Sequence, residues 1–176
     1  MQGRKKTRTK TFRFDVGVVD RLERAANRAN MSENEFVSVL LEDRLLIDPL
    51  VPAFHGMWLS SDAVQSFMVA ANVDVLEAAS SEMAQRNFPL IFKLYETNQI
   101  PLDFRKFVTD VLGKYCHWFY VEGDDNPHWI TLRHAYGLKW SKYVRAYILS
   151  AYGTTSKGTI EVEITDQLIR IETPHS

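Results

Sequence analysis

The sequence predicts an α+β protein in two parts. A short strand followed by two helices comes first, and a larger domain of helices then β-β-α-β-β with an antiparallel sheet follows it. Three observations carry this expectation. The hydrophobic period alternates over Lys10–Phe14 and turns helical directly afterwards. All six prolines lie at position 49 or beyond, and only Phe12, Phe14 and Phe36 of the 21 aromatic residues precede residue 48. The charge also divides: residues 1–47 carry ten Lys/Arg against seven Asp/Glu, and the remainder eleven against fifteen. Together these shifts place a domain boundary near Asp48-Pro49, where proline ends a helix.

The elements follow in order. In Lys10-Thr11-Phe12-Arg13-Phe14 the two phenylalanines share one face and Thr11 and Arg13 the other, the pattern of a half-buried strand. Asp15 suits a helix N-cap, with Phe14 before it and Val19 placed as a hydrophobic staple. Val18, Val19, Leu22, Ala25, Ala26 and Ala29 recur at helical spacing, predicting a helix over about Val16 to Ala29. Asn30 suits the left-handed position that closes it. Ser32 and Glu35 form an S-x-x-E capping box flanked by Met31 and Phe36, and a second helix runs towards Ile47. One strand and two short helices cannot close a core by themselves. A second copy of the chain supplies what is missing if two strands pair antiparallel about a twofold axis over four helices.

Residues 9–47 resemble the ribbon-helix-helix repressors of the Arc/MetJ type. The matching features are Thr9-x-Thr11-Phe12-Arg13-Phe14, Asp15, Leu22, the Asn30-Met31-Ser32 turn and Phe36-Val37-x-Val39-Leu40-Leu41, covering about a quarter of the chain. Asn30 stands where glycine is more usual, and Lys10 where an apolar strand residue is common. The resemblance implies a homodimer whose two-stranded ribbon enters the major groove of double-stranded DNA. By position, Thr9, Thr11 and Arg13 would then be the base readers. The backbone N–H groups of Glu33 and Asn34, behind Ser32, would hold a phosphate. The chemistry of these residues agrees with that role. Arginine bonds guanine O6 and N7 bidentately, threonine contacts bases or the thymine methyl, and a helix N-terminus favours an anion. Arg4, Lys5, Lys6 and Arg8 form a basic arm, residues 1–8, able to neutralise phosphates. The plainer alternative is a strand that only dimerises and a solvated basic tail.

The larger domain, residues 48–176, has enough chain for its own core. Ser60-Ser61-Asp62 offers caps for a helix carrying Val64, Phe67, Met68 and Ala71. A helix is expected over Asp74–Gln85 and a shorter one over Leu90–Tyr95 after Pro89. Pro101 is placed to open another, with Phe104, Phe107, Val108, Val111, Leu112 and Tyr115 on one face. Strands are expected over Trp118–Glu122 and His128–His134, joined by a turn at 123–127. A helix over Leu138–Tyr152 follows Gly137 and stops at Gly153, and Ile160–Ile164 and Leu168–Ile171 close the sheet as a hairpin. Ile130-Thr131-Leu132-Arg133-His134 with Gly137-Leu138-Lys139-Trp140-Ser141 is similar to a strand-to-helix segment of uncharacterised archaeal regulators.

Candidate sites in this domain are few. Arg133, His134, Lys139 and Trp140 gather at a strand-to-helix junction and form a possible effector site for an anion, with capping and ion pairing inside the fold as the plainer reading. Cys116, His117, His128 and His134 lack metal-ligand spacing; His128 and His134 would lie ~20 Å apart on a strand. Asp124-Asp125-Asn126 reads as a turn, since the chain there lacks the length and closing Glu of a calcium loop. G-x-S-x-G, P-loop, G-x-G-x-x-G and paired-carboxylate patterns are absent, so neither an enzyme nor a cofactor is expected. A single cysteine, no long apolar stretch and no apolar run behind the basic N-terminus predict a cytoplasmic chain without a membrane span. The expected function is a transcriptional regulator, with the second domain binding itself, an effector or another protein. The alternatives are an antitoxin-type regulator, whose second domain binds a protein partner, and a ribbon-helix-helix-dimerised binding module without DNA specificity.

Overall fold

The computed structural model describes residues 8–47, 59–100, 102–123, 128–155 and 158–172. The basic residues Arg4, Lys5 and Lys6, the Asp48-Pro49 boundary, Pro101 and all but Gly123 of the turn expected at 123–127 lie outside these. The chain divides into two compact units, Met1–Leu46 and Ile47–Ser176.

In the first unit, helix α1 spans Val16–Arg28 and α2 spans Glu33–Ile47. Asp15 caps α1 by accepting from the Gly17 N–H at 2.8 Å. The far end closes as a Schellman motif: Asn30 adopts φ 54°, its N–H reaches the Asn27 carbonyl, and the Met31 N–H reaches the Ala26 carbonyl. Ser32 Oγ accepts from the Glu35 N–H at 3.3 Å, half of the expected capping box. The expected strand over Lys10–Phe14 is not formed in the single chain, where residues 8–15 carry no strand pairing. A strand is defined by its partner, and among the described residues this unit contains no other extended segment to pair with.

The second unit is α+β, with a four-stranded antiparallel sheet. Helices α3 (Ser61–Ala70) and α4 (Val73–Thr97) come first, capped by the side chains of Ser60 and Asn72. A single turn, α5 (Phe104–Lys106), capped by Asp103, passes into a π-helix over Phe107–Tyr115. Strands β1 (Tyr120–Glu122) and β2 (Trp129–Arg133), helix α6 (Leu138–Thr155), and strands β3 (Val162–Ile164) and β4 (Leu168–Glu172) complete it. The strand order is β1-β2-β4-β3, with Ile130 opposite Ile171 and Leu132 opposite Ile169. These four side chains face inward and are buried. They share the core with Ala84, Phe88 and Ile91 of α4, Val108, Val111 and Leu112 of the π-helix, and Val144, Ile148 and Ala151 of α6. Among the described elements, helices α4 and α6 form the most extensive pairing.

Packing overrides local breaking signals at three places. Pro89 does not divide its helix: α4 runs straight through it. An internal proline costs about 3 kcal/mol, and burying each of the large side chains Phe88, Ile91 and Tyr95 returns about 1.5–3 kcal/mol. Gly153 does not end α6, which continues to Thr155. Tyr152 is buried there with its ring edge-on to Phe104 at 4.9 Å, which holds the last turn in place. The helix expected from Pro101 is α-helical for one turn only and then widens, with the Cys116 N–H bonded to the Val111 carbonyl five residues back. The first strand is shorter than expected, because the Trp118 N–H bonds the Leu112 carbonyl and stays with the helix end.

Gly113 lets the π-helix lie against β1. A Cβ at this position would sit 3.1 Å from Val121 Cγ2 and 3.4 Å from Phe119 Cε2. Gly113→Val is therefore expected to destabilise the second unit by about 1–3 kcal/mol through overpacking. Urea denaturation followed by tryptophan fluorescence measures this directly, and a variant as stable as wild type would contradict the close approach.

Candidate nucleic-acid interface

The first unit presents its candidate readers to solvent. Arg8, Thr9, Thr11 and Arg13 are exposed, as are Ser32, Glu33 and Asn34 at the start of α2. Phe12 and Phe14 are 61% and 56% exposed, and their ring centroids lie 6.1 Å apart. The two rings are close neighbours although one residue separates them in sequence. Ser32 anchors the first turn of α2, and Ser38 Oγ donates back to the Asn34 carbonyl at 2.8 Å.

Ala26 is the one buried residue among those described in this unit. Val16, Val18, Val19, Val39, Leu40, Leu41 and Leu45 all remain exposed beside the two phenylalanines. Helix α2 is apolar around most of its circumference, the pattern of a helix covered on several sides. These apolar side chains find no cover within the described residues of the unit.

In the second unit each residue of the possible effector site has a bond within the fold. Arg133 pairs with Glu122 across β1 and β2. Lys139 Nζ donates to the carbonyls of Val69 and Ala71 at the end of α3, both at 2.8 Å. Trp140 Nε1 donates to the Trp118 carbonyl at 3.1 Å. His134 is buried, accepts the Tyr136 N–H at Nδ1 and lies 2.8 Å from Ser141 Oγ through Nε2. Ser141 Oγ in turn donates to the Thr165 carbonyl at 2.5 Å. Burial lowers the imidazole pKa to about 4, against a smaller opposing pull from the Asp166 carboxylate.

The remaining candidates stay separate. Among the described residues no group of His, Cys, Asp and Glu is arranged to hold a metal ion. His117 occupies a left-handed conformation at φ 50°. Cys116 is exposed as a residue, but the protein packed around its thiol pushes that thiol up to about 11, away from the reactive thiolate. The aromatic face of α6 is core: Trp118 sits against Trp140, Tyr143 and Tyr147 with centroids 5.0–5.6 Å apart. Burial pushes Tyr143 up to about 12. Two contacts invisible in the sequence are Ser80 Oγ donating to the Tyr143 carbonyl and Gln65 Nε2 donating to the Ala135 carbonyl. Both side chains donate to main-chain oxygens, which no side-chain pattern announces.

No helix among the described residues is long and apolar enough to cross a membrane. Neither a family model, nor a curated protein, nor a solved structure matches the chain.

Proposed function

We propose that the chain is a homodimeric, sequence-specific DNA-binding regulator of the ribbon-helix-helix type. The carrying observation is the two-sided segment 9–14. Phe12 and Phe14 lie exposed on a unit with one buried residue among those described, while Thr9, Thr11 and Arg13 occupy the alternate positions. A second copy pairing at this segment covers the phenylalanines and turns the polar side outward as a ribbon for the major groove. The exposed start of α2 behind Ser32 supplies main-chain donors to a phosphate on each flank. Arg4, Lys5, Lys6 and Arg8 add sequence-independent attraction. The α+β unit has no catalytic role on this reading and serves oligomerisation or effector binding. The single cysteine suits a reducing cytoplasm.

The test is selection of a binding site from random DNA followed by electrophoretic shift. Arg13→Ala is expected to lose about 1–3 kcal/mol at the selected site for each bidentate guanine contact removed. Deleting residues 1–8 weakens all sequences alike and flattens the salt dependence. Wild-type affinity in Arg13→Ala would remove the ribbon from its role as reader.

A further inference from the structure

Helix α3 is attached to the rest of its unit in an unusual way. None of its residues is fully buried; Ala63, Val64 and Met68 are half-covered, Phe67 is 58% exposed and Val69 79%. Among the described residues, three side-chain hydrogen bonds tie it to the rest of the unit, and all three lead to one short segment. Gln65 Nε2 donates to the Ala135 carbonyl, and Lys139 Nζ grips the carbonyls of Val69 and Ala71. The lysine charge sits at the negative end of the helix, where it is favourable.

The segment that holds α3 is itself held by His134. The Tyr136 N–H points at Nδ1, so Nδ1 is the unprotonated nitrogen and Nε2 carries the hydrogen, which it donates to Ser141 Oγ. Ser141 Oγ passes its own hydrogen to the Thr165 carbonyl, and the His134 N–H bonds the Gln167 carbonyl. Every polar atom of the ring is thus committed in one tautomer. A proton added at Nδ1 would face the Tyr136 N–H, donor against donor. Residues 135–137 must then move, and Ala135 carries the acceptor for Gln65.

We propose that α3 is a strap whose hold on the α+β core is released when His134 takes up a proton. The charged groups around the ring are few. Asp166 in the β3–β4 turn favours the protonated ring, Arg133 on β2 is paired with Glu122, and Lys139 on α6 is occupied with the α3 carbonyls. The Tyr136 ring lies parallel to the imidazole at 6.2 Å, and Ser141 of α6 and Thr165 contribute uncharged partners. The sign follows from linkage. A histidine held below its ordinary value stabilises the closed strap fully above about pH 6.5, and the hold weakens as pH falls from there towards about 4. The inference does not depend on DNA binding.

The test is amide hydrogen exchange of the full chain, expressed as protection factors so that the intrinsic pH dependence cancels. Between about pH 7 and about pH 4.5, protection in α3 is expected to fall on the order of tenfold or more while α4 and α6 keep theirs. His134→Gln keeps a neutral donor near Ser141 and should hold α3 protection level across the same range. Lys139→Met should lower α3 protection already at neutral pH and leave β2 and α6 unchanged. Constant wild-type protection in α3 would overturn the proposal. So would an equal fall in His134→Gln, a fall shared with α4 and α6, or unchanged α3 protection in Lys139→Met at neutral pH. Should His134→Gln not fold, the wild-type pH series and Lys139→Met still decide.

Discussion

Phe14→Ala is expected to remove about 3–5 kcal/mol from the first unit, with a midpoint of unfolding that climbs with protein concentration. The reasoning begins at the exposed rings. In a lone chain Phe14 is more than half exposed, and trimming it would cost almost nothing. If two chains interlock at residues 9–14, that side chain enters a shared core, and its removal carries the full transfer and cavity cost. Folding and association then become one equilibrium. Denaturation at several concentrations, paired with sedimentation, separates the two cases. A well-folded wild-type monomer at micromolar concentration would end the dimer reading.

Phe88→Ala is expected to cost a similar 3–5 kcal/mol, but with no dependence on concentration. Phe88 is fully buried, 4.5 Å from Phe92 and 4.6 Å from Phe107 between ring centroids. It belongs wholly to the second unit, whose core is complete within one chain. The two substitutions should therefore move different transitions, one concentration-dependent and one not. The fragment 48–176 bearing Phe88→Ala should show the same loss as the full chain, since sites with no shared partners act independently. A single merged transition that both substitutions shift would contradict two separately folding units.

The parts legible in the sequence were those whose causes are local. Asp15, Asn30, Ser32 and Ser60 announce helix ends because a cap needs only its own neighbours in the chain. The alternation of Ile130 and Leu132, and of Ile169 and Ile171, announces strands because one sheet face is buried. Pro89 and Gly153 misled for the opposite reason: their local signal is opposed by Phe88, Ile91 and Tyr152, whose partners lie far along the chain. The widening after Phe107 was illegible because Phe107, Val108, Val111 and Leu112 fit an α-helix and a π-helix equally well. At the His134 junction the sequence singled out Arg133, His134, Lys139 and Trp140 but did not show their bonds. Lys139 and Ser141 are bound to main-chain oxygens from α3 and the β3–β4 turn, groups that every residue possesses.

The order β1-β2-β4-β3 puts the two five-residue strands in the middle and the two three-residue strands outside. Each outer strand carries a glutamate, Glu122 or Glu163, paired inward to an arginine on its neighbour. A border so short and so charged gives an incoming chain little backbone to zip onto. The α+β unit is thus guarded against growing into a fibre by adding strands, however crowded its surroundings. In the dimer proposed for the first unit, residues 9–14 would pair with one twin and close on themselves about a twofold axis, so that growth by strand addition would stop at two.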